Sequence, residues 1–125
     1  MSAGLAVLDA DALERLRELD PKGTSRLLER VLRAFEASAS RLARQFREAR
    51  AAGDMQGIRH VVHTLKSSSA SIGAVALARL CAEIETAIRT EAFAALPDRL
   101  DAMDRELAAV LQAVSPMLST SGTPK

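Results

Sequence analysis

Aromatic residues and cysteine are scarce in this sequence, and each shortage excludes a class of protein. The chain of 125 residues contains three Phe and no Trp or Tyr, so it has few side chains that could stack on nucleic-acid bases. Its single cysteine excludes an internal disulfide and a cysteine-rich metal site. Seventeen basic and sixteen acidic residues leave a net charge of +1, far from the basic excess of a nucleic-acid-binding domain.

Long apolar runs are also missing. No stretch approaches the roughly 18 apolar residues that a membrane-spanning helix needs, and the first residues lack the basic segment of a targeting peptide. We therefore expect a cytoplasmic protein that contacts neither membrane nor nucleic acid. Hydrophobic residues at 48% and charged residues at 26% are typical of one packed domain.

Apolar residues recur every three or four positions between sparse Gly and Pro residues, which indicates helices. The breaks lie at Pro21, Gly53, Gly73 and Pro97. They predict a short helix over residues 9–19 and four longer amphipathic helices. The predicted fold is all-α: an antiparallel up-down four-helix bundle with an additional short N-terminal helix that caps one end. The bundle is assigned to residues 9–118, between a flexible N-terminus (1–8) and a flexible C-terminal tail (119–125).

Capping residues support these boundaries. Thr24 is predicted to cap the second helix and Asp54 the third, while Pro97 suits the first turn of the fifth. Gly73 suits the end of the third helix, where the chain must turn.

The third predicted helix carries a histidine at a position that does not face the core of the bundle. With a core stripe that includes Ile58, Val62 and Leu65, His63 lies roughly 140° away and faces solvent. Its neighbours on that face are cationic or small: Arg59, Lys66, Ser67 and Ala70. Small side chains on this face leave room for another helix of the bundle or for a protein that binds there.

Lys66 is the one lysine in a predicted helix, since the chain has fourteen Arg and only three Lys. The lysine at position 66 either arises by chance or supplies a compact ammonium beside His63 that contacts a phosphoryl oxygen.

The fourth helix offers a partner for this histidine. If the chain turns near residue 74, His63 lies eleven residues before the turn and Glu85 eleven after it. Both then lie roughly 16 Å from the turn, and Glu85 can accept the Nδ1 proton of His63. Nε2 is left as an outward-facing nucleophile. Arg89 lies near the same flank. On helical pattern alone, Glu85 and Arg89 form an ordinary i,i+4 pair on a charged surface.

These residues resemble the pattern of histidine-phosphotransfer (HPt) domains, which carry phosphoryl groups in multistep two-component phosphorelays. The resemblance rests on the stretch His63-Thr-Leu-Lys66-Ser-Ser-Ser-Ala-Ser-Ile-Gly73-Ala74, followed by Leu77, Leu80, Cys81 and Glu85. It covers nearly the whole chain.

The resemblance implies a role for each matching position. His63 corresponds to the phosphorylated histidine, Lys66 to a lysine that contacts the phosphoryl group, and Gly73 to the glycine that ends the active helix. Glu85 takes the place of a Gln or Glu that is hydrogen-bonded to the histidine. The expected docking surface for the receiver comprises Arg59, Ser67, Ala70 and Arg89. Ser67 departs from the family, which commonly has Gly there.

The implied function is that of a phosphocarrier without its own ATP site. It accepts a phosphoryl group on His63 Nε2 from a receiver-domain phospho-aspartate and passes it to another receiver. The implied partners are a hybrid sensor histidine kinase and response-regulator receiver domains. No cofactor is expected on this chain, because Mg²⁺ belongs to the receiver, and a monomer is expected.

Three alternatives remain open. The chain could be a helical adaptor that binds receivers or a kinase without being phosphorylated, or an acid–base enzyme that uses His63. His60 and His63 could also form a metal pair, although no third ligand is obvious. Cys81 lies on a core stripe and is interpreted as a buried small hydrophobic residue.

Overall fold

A computed structural model describes residues 7–24 and 26–120 of the chain. In this part it contains five helices and no strand. They are α1 (Ala10–Glu18), α2 (Leu27–Ala52), α3 (Met55–Ser71), α4 (Val75–Arg89) and α5 (Leu96–Thr120). The prediction of an all-α fold is confirmed.

Two of the helices have an aspartate as the N-terminal cap. Asp9 caps α1 by accepting a hydrogen bond from the Asp11 amide, and Asp54 caps α3 by accepting one from the Gly57 amide. The prediction that Thr24 caps α2 is wrong, because that helix begins three residues later. Its N-cap is Arg26 in the left-handed region at φ 52°, and the Leu27 amide donates to the Asp20 carboxylate at 3.1 Å instead.

The four long helices pack as a ring in which each contacts its neighbours along the chain and α2 also contacts α5. Short connections between successive helices make them antiparallel, as predicted. α1 packs against α2, and the Asp9 amide donates to the Gly73 carbonyl at 2.8 Å. The short helix therefore lies across the end of the bundle where α3 turns into α4.

The core is mainly aliphatic, and two of the three Phe residues, Phe35 and Phe46, are buried in it. Phe46, Leu65, Leu77 and Ile84 are fully buried, and burial of each such side chain contributes about 1.5–3 kcal/mol. This packing makes α3 and α4 rigid supports for the side chains on their outer faces.

The described part of the chain extends slightly beyond the predicted bundle. Val7 and Leu8 pack against the core although they belong to the segment predicted to be flexible, and α5 continues to Thr120. The rest of the two segments predicted to be flexible lies outside the described residues, at positions 1–6 and 121–125.

Candidate functional site

The orientation of α3 follows from its apolar stripe and from its cap. Ile58, Val62 and Leu65 are buried in the bundle, so His63 is turned outward and its side chain is 68% exposed. A Cβ on Gly57 would lie 2.6 Å from the capping carboxylate of Asp54, so a larger residue there would disturb the start of the helix. The cap and the stripe together set which face of α3 reaches solvent.

Glu85 on α4 holds His63 and Lys66 at the same time. Its Oε2 lies 2.8 Å from His63 Nδ1, and Lys66 Nζ donates to its Oε1 at 2.7 Å. His63 and Glu85 lie eleven residues before and eleven residues after residue 74, so their contact joins two side chains at equal distances from the α3–α4 turn. Both carboxylate oxygens of Glu85 are therefore occupied, and its side chain is only 15% exposed.

The charge of Glu85 follows from these two partners. The hydrogen bond from Lys66, and then the one from His63, hold the pKa of the Glu85 carboxyl below its ordinary value, against the opposing effect of burial. An ionised carboxylate only accepts hydrogen bonds, so His63 Nδ1 must carry the proton in this contact. In the tautomer with this proton on Nδ1, the lone pair of the ring lies on Nε2, from which a histidine can act as a nucleophile.

The other predicted site residues lie around this centre. Arg59, Ser67 and Ala70 are exposed on α3, and Arg89 is exposed on α4. In the part of the chain that the structure describes, Arg89 makes no ion pair with Glu85, so the i,i+4 pair suggested by the sequence is not formed. The two oxygens of Glu85 instead contact His63 and Lys66 on α3.

Gly73 occupies a position that only glycine fits. Its φ of +78° lies in the left-handed region, and a Cβ there would lie 2.8 Å from the Cβ of Ala12 and 3.0 Å from the backbone of Asp9. The glycine thus lets the chain turn tightly beneath α1, and the tight turn sets the register that brings α4 beside His63.

Comparison with known proteins identifies the family. A family model described as "Hpt domain" matches residues 30–113, which is most of the chain. This chain belongs to the Hpt domain family. Its fold is also similar to the crystal structure of histidine-containing phosphotransfer protein B (HptB) from Pseudomonas aeruginosa PAO1. That match has a TM-score of 0.80 and 28% sequence identity, over 94% of this chain and 98% of the other. No curated protein matches.

Membership of the family makes the chain an Hpt phosphotransfer protein of a phosphorelay, a class whose members interact with receiver domains and kinases. No helix in the described part of this Hpt domain is long and apolar enough to cross a membrane. Among the described residues, no group of three or more His, Cys, Asp or Glu side chains is placed to hold a metal ion.

Cys81 and Ser69 lie behind the site, in the core of the Hpt bundle. Cys81 is fully buried, and burial followed by the nearby charge of Glu85 raises the pKa of its thiol to about 12. Its interpretation as a buried hydrophobic residue therefore agrees with its place in the fold. The Ser69 hydroxyl is fully buried and makes no hydrogen bond to any described residue.

Sequence reasoning missed one residue of the site. Gln56 lines an open cleft beside His63, together with Arg59, His60 and Glu85. The signal was present, because Gln56 precedes His63 by seven residues and therefore shares its helix face. His60 was considered only as half of a metal pair, whereas the structure places it in the same cleft.

Proposed function

We propose that this Hpt domain accepts a phosphoryl group on His63 Nε2 from the phospho-aspartate of one receiver domain and passes it to a second receiver. The observation that carries the proposal is an exposed imidazole whose Nδ1 is held 2.8 Å from a partly buried carboxylate. This contact supports a single tautomer, with the nucleophilic lone pair on the solvent side.

The transfer step needs little from this chain besides a well-placed nucleophile. The Nε2 lone pair of His63 attacks phosphorus in line, and an Nε2–P bond forms. The bond between phosphorus and the aspartate oxygen breaks, and its electron pair remains on the receiver carboxylate. Because the transition state spreads charge over the phosphoryl oxygens, positioning and electrostatic stabilisation dominate catalysis.

Glu85 and Lys66 have complementary roles in this proposal. The imidazole ring gains positive charge as Nε2 bonds to phosphorus, and the Glu85 carboxylate at Nδ1 stabilises that charge. Lys66 is bound to Glu85 in the described structure, and its side chain is 41% exposed. Its flexible stem allows Nζ to move toward a phosphoryl oxygen when a receiver docks.

The docking surface for receivers is proposed to be the exposed face around His63, with Arg59, Ser67, Ala70 and Arg89. Small side chains at Ser67 and Ala70 let the backbone of a partner approach the histidine closely. Ser67, where the family commonly has Gly, keeps its hydroxyl on the surface, and its carbonyl accepts a hydrogen bond from the Ser71 hydroxyl. We expect this serine to affect the choice of receiver.

The partners proposed for the relay are a hybrid sensor histidine kinase, through its receiver domain, and a response regulator. The Mg²⁺ ion that the transfer requires is expected on each receiver, with no cofactor on this chain. We further propose that the protein acts as a monomer in the cytoplasm.

Transfer from a phosphorylated receiver domain with Mg²⁺ tests the proposal. We expect labelled phosphate to move to the wild-type protein in a form that is labile to acid and stable to alkali. The His63→Gln variant must take no label while it remains folded and still binds the receiver. The His60→Gln variant must still take label, because it keeps the proposed acceptor.

Two outcomes would overturn the proposal. Label on the His63→Gln variant would place the acceptor elsewhere. No transfer from several competent receivers that nevertheless bind the folded protein would favour the non-catalytic adaptor instead.

A further inference from the structure

The open cleft beside His63 extends toward the beginning of α3. It has a volume of about 280 Å³ and is lined by Gln56, Arg59, His60, His63 and Glu85. A tetrahedral phosphoryl group attached to His63 therefore fits in the cleft.

Two basic residues, Arg59 and Lys66, flank His63 on α3, and they differ in whether an acidic side chain pairs with them. Lys66 donates to Glu85 at 2.7 Å and does not line the cleft. Arg59, one turn before His63, lines the cleft and makes no ion pair or hydrogen bond with any residue that the structure describes. The two oxygens of Glu85 contact His63 and Lys66, and neither makes an ion pair or hydrogen bond with Arg59.

The lining of the cleft is therefore suited to an anion. The guanidinium of Arg59 offers several N–H donors in a planar arrangement that matches the oxygens of a phosphoryl group. The amide of Gln56 and the imidazole of His60 add further donors on the same side of His63. The carboxylate in the cleft is turned toward partners of its own, His63 and Lys66.

We propose that Arg59 binds the phosphoryl group of phosphorylated His63 directly, in the cleft, and so stabilises the phosphorylated form of the protein. The proposal rests on the proposed function, since it requires that His63 be phosphorylated. It assigns Arg59 a role in addition to receiver docking. Lys66 can then remain paired with Glu85 while the phosphoryl group is stored between two receivers.

The equilibrium of phosphotransfer separates this role from docking. A residue that only contacts the receiver changes the forward and reverse rates equally and leaves the equilibrium constant unchanged. A residue that binds the phosphoryl group stabilises the phosphorylated product. Loss of one charge-assisted contact at an exposed site corresponds to about a fivefold to tenfold change in equilibrium.

The experiment measures the equilibrium between a phosphorylated receiver domain and this protein in the presence of Mg²⁺. We expect Arg59→Ala to lower the equilibrium constant for phosphorylation of His63 by about fivefold to tenfold. Arg59→Lys should recover part of the loss, because it keeps the charge without the planar set of donors. Arg105→Ala is the matched control: it removes an exposed arginine on α5 that makes no ion pair with any described residue.

A second measurement needs no protein partner. Phosphoramidate is the phosphoryl donor in this measurement: in the expected transfer to His63 its P–N bond breaks, ammonia leaves and the Nε2–P bond forms. We expect the ³¹P resonance of the phosphohistidine to shift in Arg59→Ala and to stay in place in Arg105→Ala.

The possible failures are distinguishable. An Arg59→Ala variant with an unchanged equilibrium constant and an unchanged ³¹P resonance would overturn this inference and leave the proposed function intact. A wild-type protein that accepts no phosphoryl group from receivers or from phosphoramidate would overturn the proposed function, and this inference with it.

Discussion

Substitution of Glu85 provides a graded test of how the site works. The carboxylate makes two charge-assisted contacts, with His63 Nδ1 at 2.8 Å and with Lys66 Nζ at 2.7 Å. A glutamine has one acceptor oxygen and one amide donor, so it can keep only one of the two contacts. An alanine keeps neither. We therefore expect the rate of phosphotransfer to fall in the order wild type, Glu85→Gln, Glu85→Ala.

The magnitude follows from the strength of such contacts. A hydrogen bond to a charged group contributes about 1.5–3 kcal/mol, and the exposure of His63 and Lys66 reduces this to about 1 kcal/mol. Only the part of each contact that strengthens in the transition state affects the rate, so one lost contact lowers the rate by at most about fivefold and two lost contacts by at most about twenty-five-fold.

Single-turnover transfer from a phosphorylated receiver domain, followed by quenched flow, measures these rates. Glu83→Gln is the matched control, because Glu83 lies on the other flank of α4 and pairs with Arg99 at 3.1 Å. An alanine variant as fast as the wild type would refute the reasoning. A glutamine variant slower than the alanine variant would show that the ring tautomer, and not the number of contacts, controls the rate.

Three further predictions concern stability. The folded protein lowers the pKa of Glu85 below its ordinary value of 4.5, so the contribution of this carboxylate to stability is present above pH 4.5 and disappears as the pH falls through the folded pKa. Urea unfolding should therefore show the gap between wild type and Glu85→Gln closing as the pH falls below 4.5. Ser69→Ala removes a buried hydroxyl without a partner among the described residues and should raise the free energy of unfolding by about 1–2 kcal/mol; a decrease would contradict this. Gly73→Ala should lower the free energy of unfolding by more than about 1–2 kcal/mol, because a Cβ strains the left-handed backbone and meets Ala12; an unchanged thermal midpoint would count against the packing described for this turn.

The register of the site could be predicted because helices rise regularly and the α3–α4 turn is short. Counting eleven residues on each side of residue 74 places Glu85 opposite His63, and the structure has the two side chains in contact. The Asp54 cap was predictable in the same way, from local chemistry that does not depend on tertiary packing.

Other features depend on neighbours that local sequence does not specify. The side chain of Lys66 is long, so its conformation is set by the nearest acceptor, and the structure places Nζ on Glu85. The same competition explains why Arg89 does not pair with Glu85. The beginning of α2 was misplaced because Arg26 adopts a left-handed conformation and Asp20, seven residues before Leu27, supplies the acceptor.

The central claim is that the contact with Glu85 reserves Nε2 of His63 for the phosphoryl group. The most direct measurement is an NMR spectrum of the protein with ¹⁵N-labelled histidine, recorded before and after phosphorylation. We expect the phosphoryl group on Nε2 of His63, with the Nδ1 proton retained and His60 unmodified. A phosphoryl group on Nδ1 of His63, or on His60, would contradict the account.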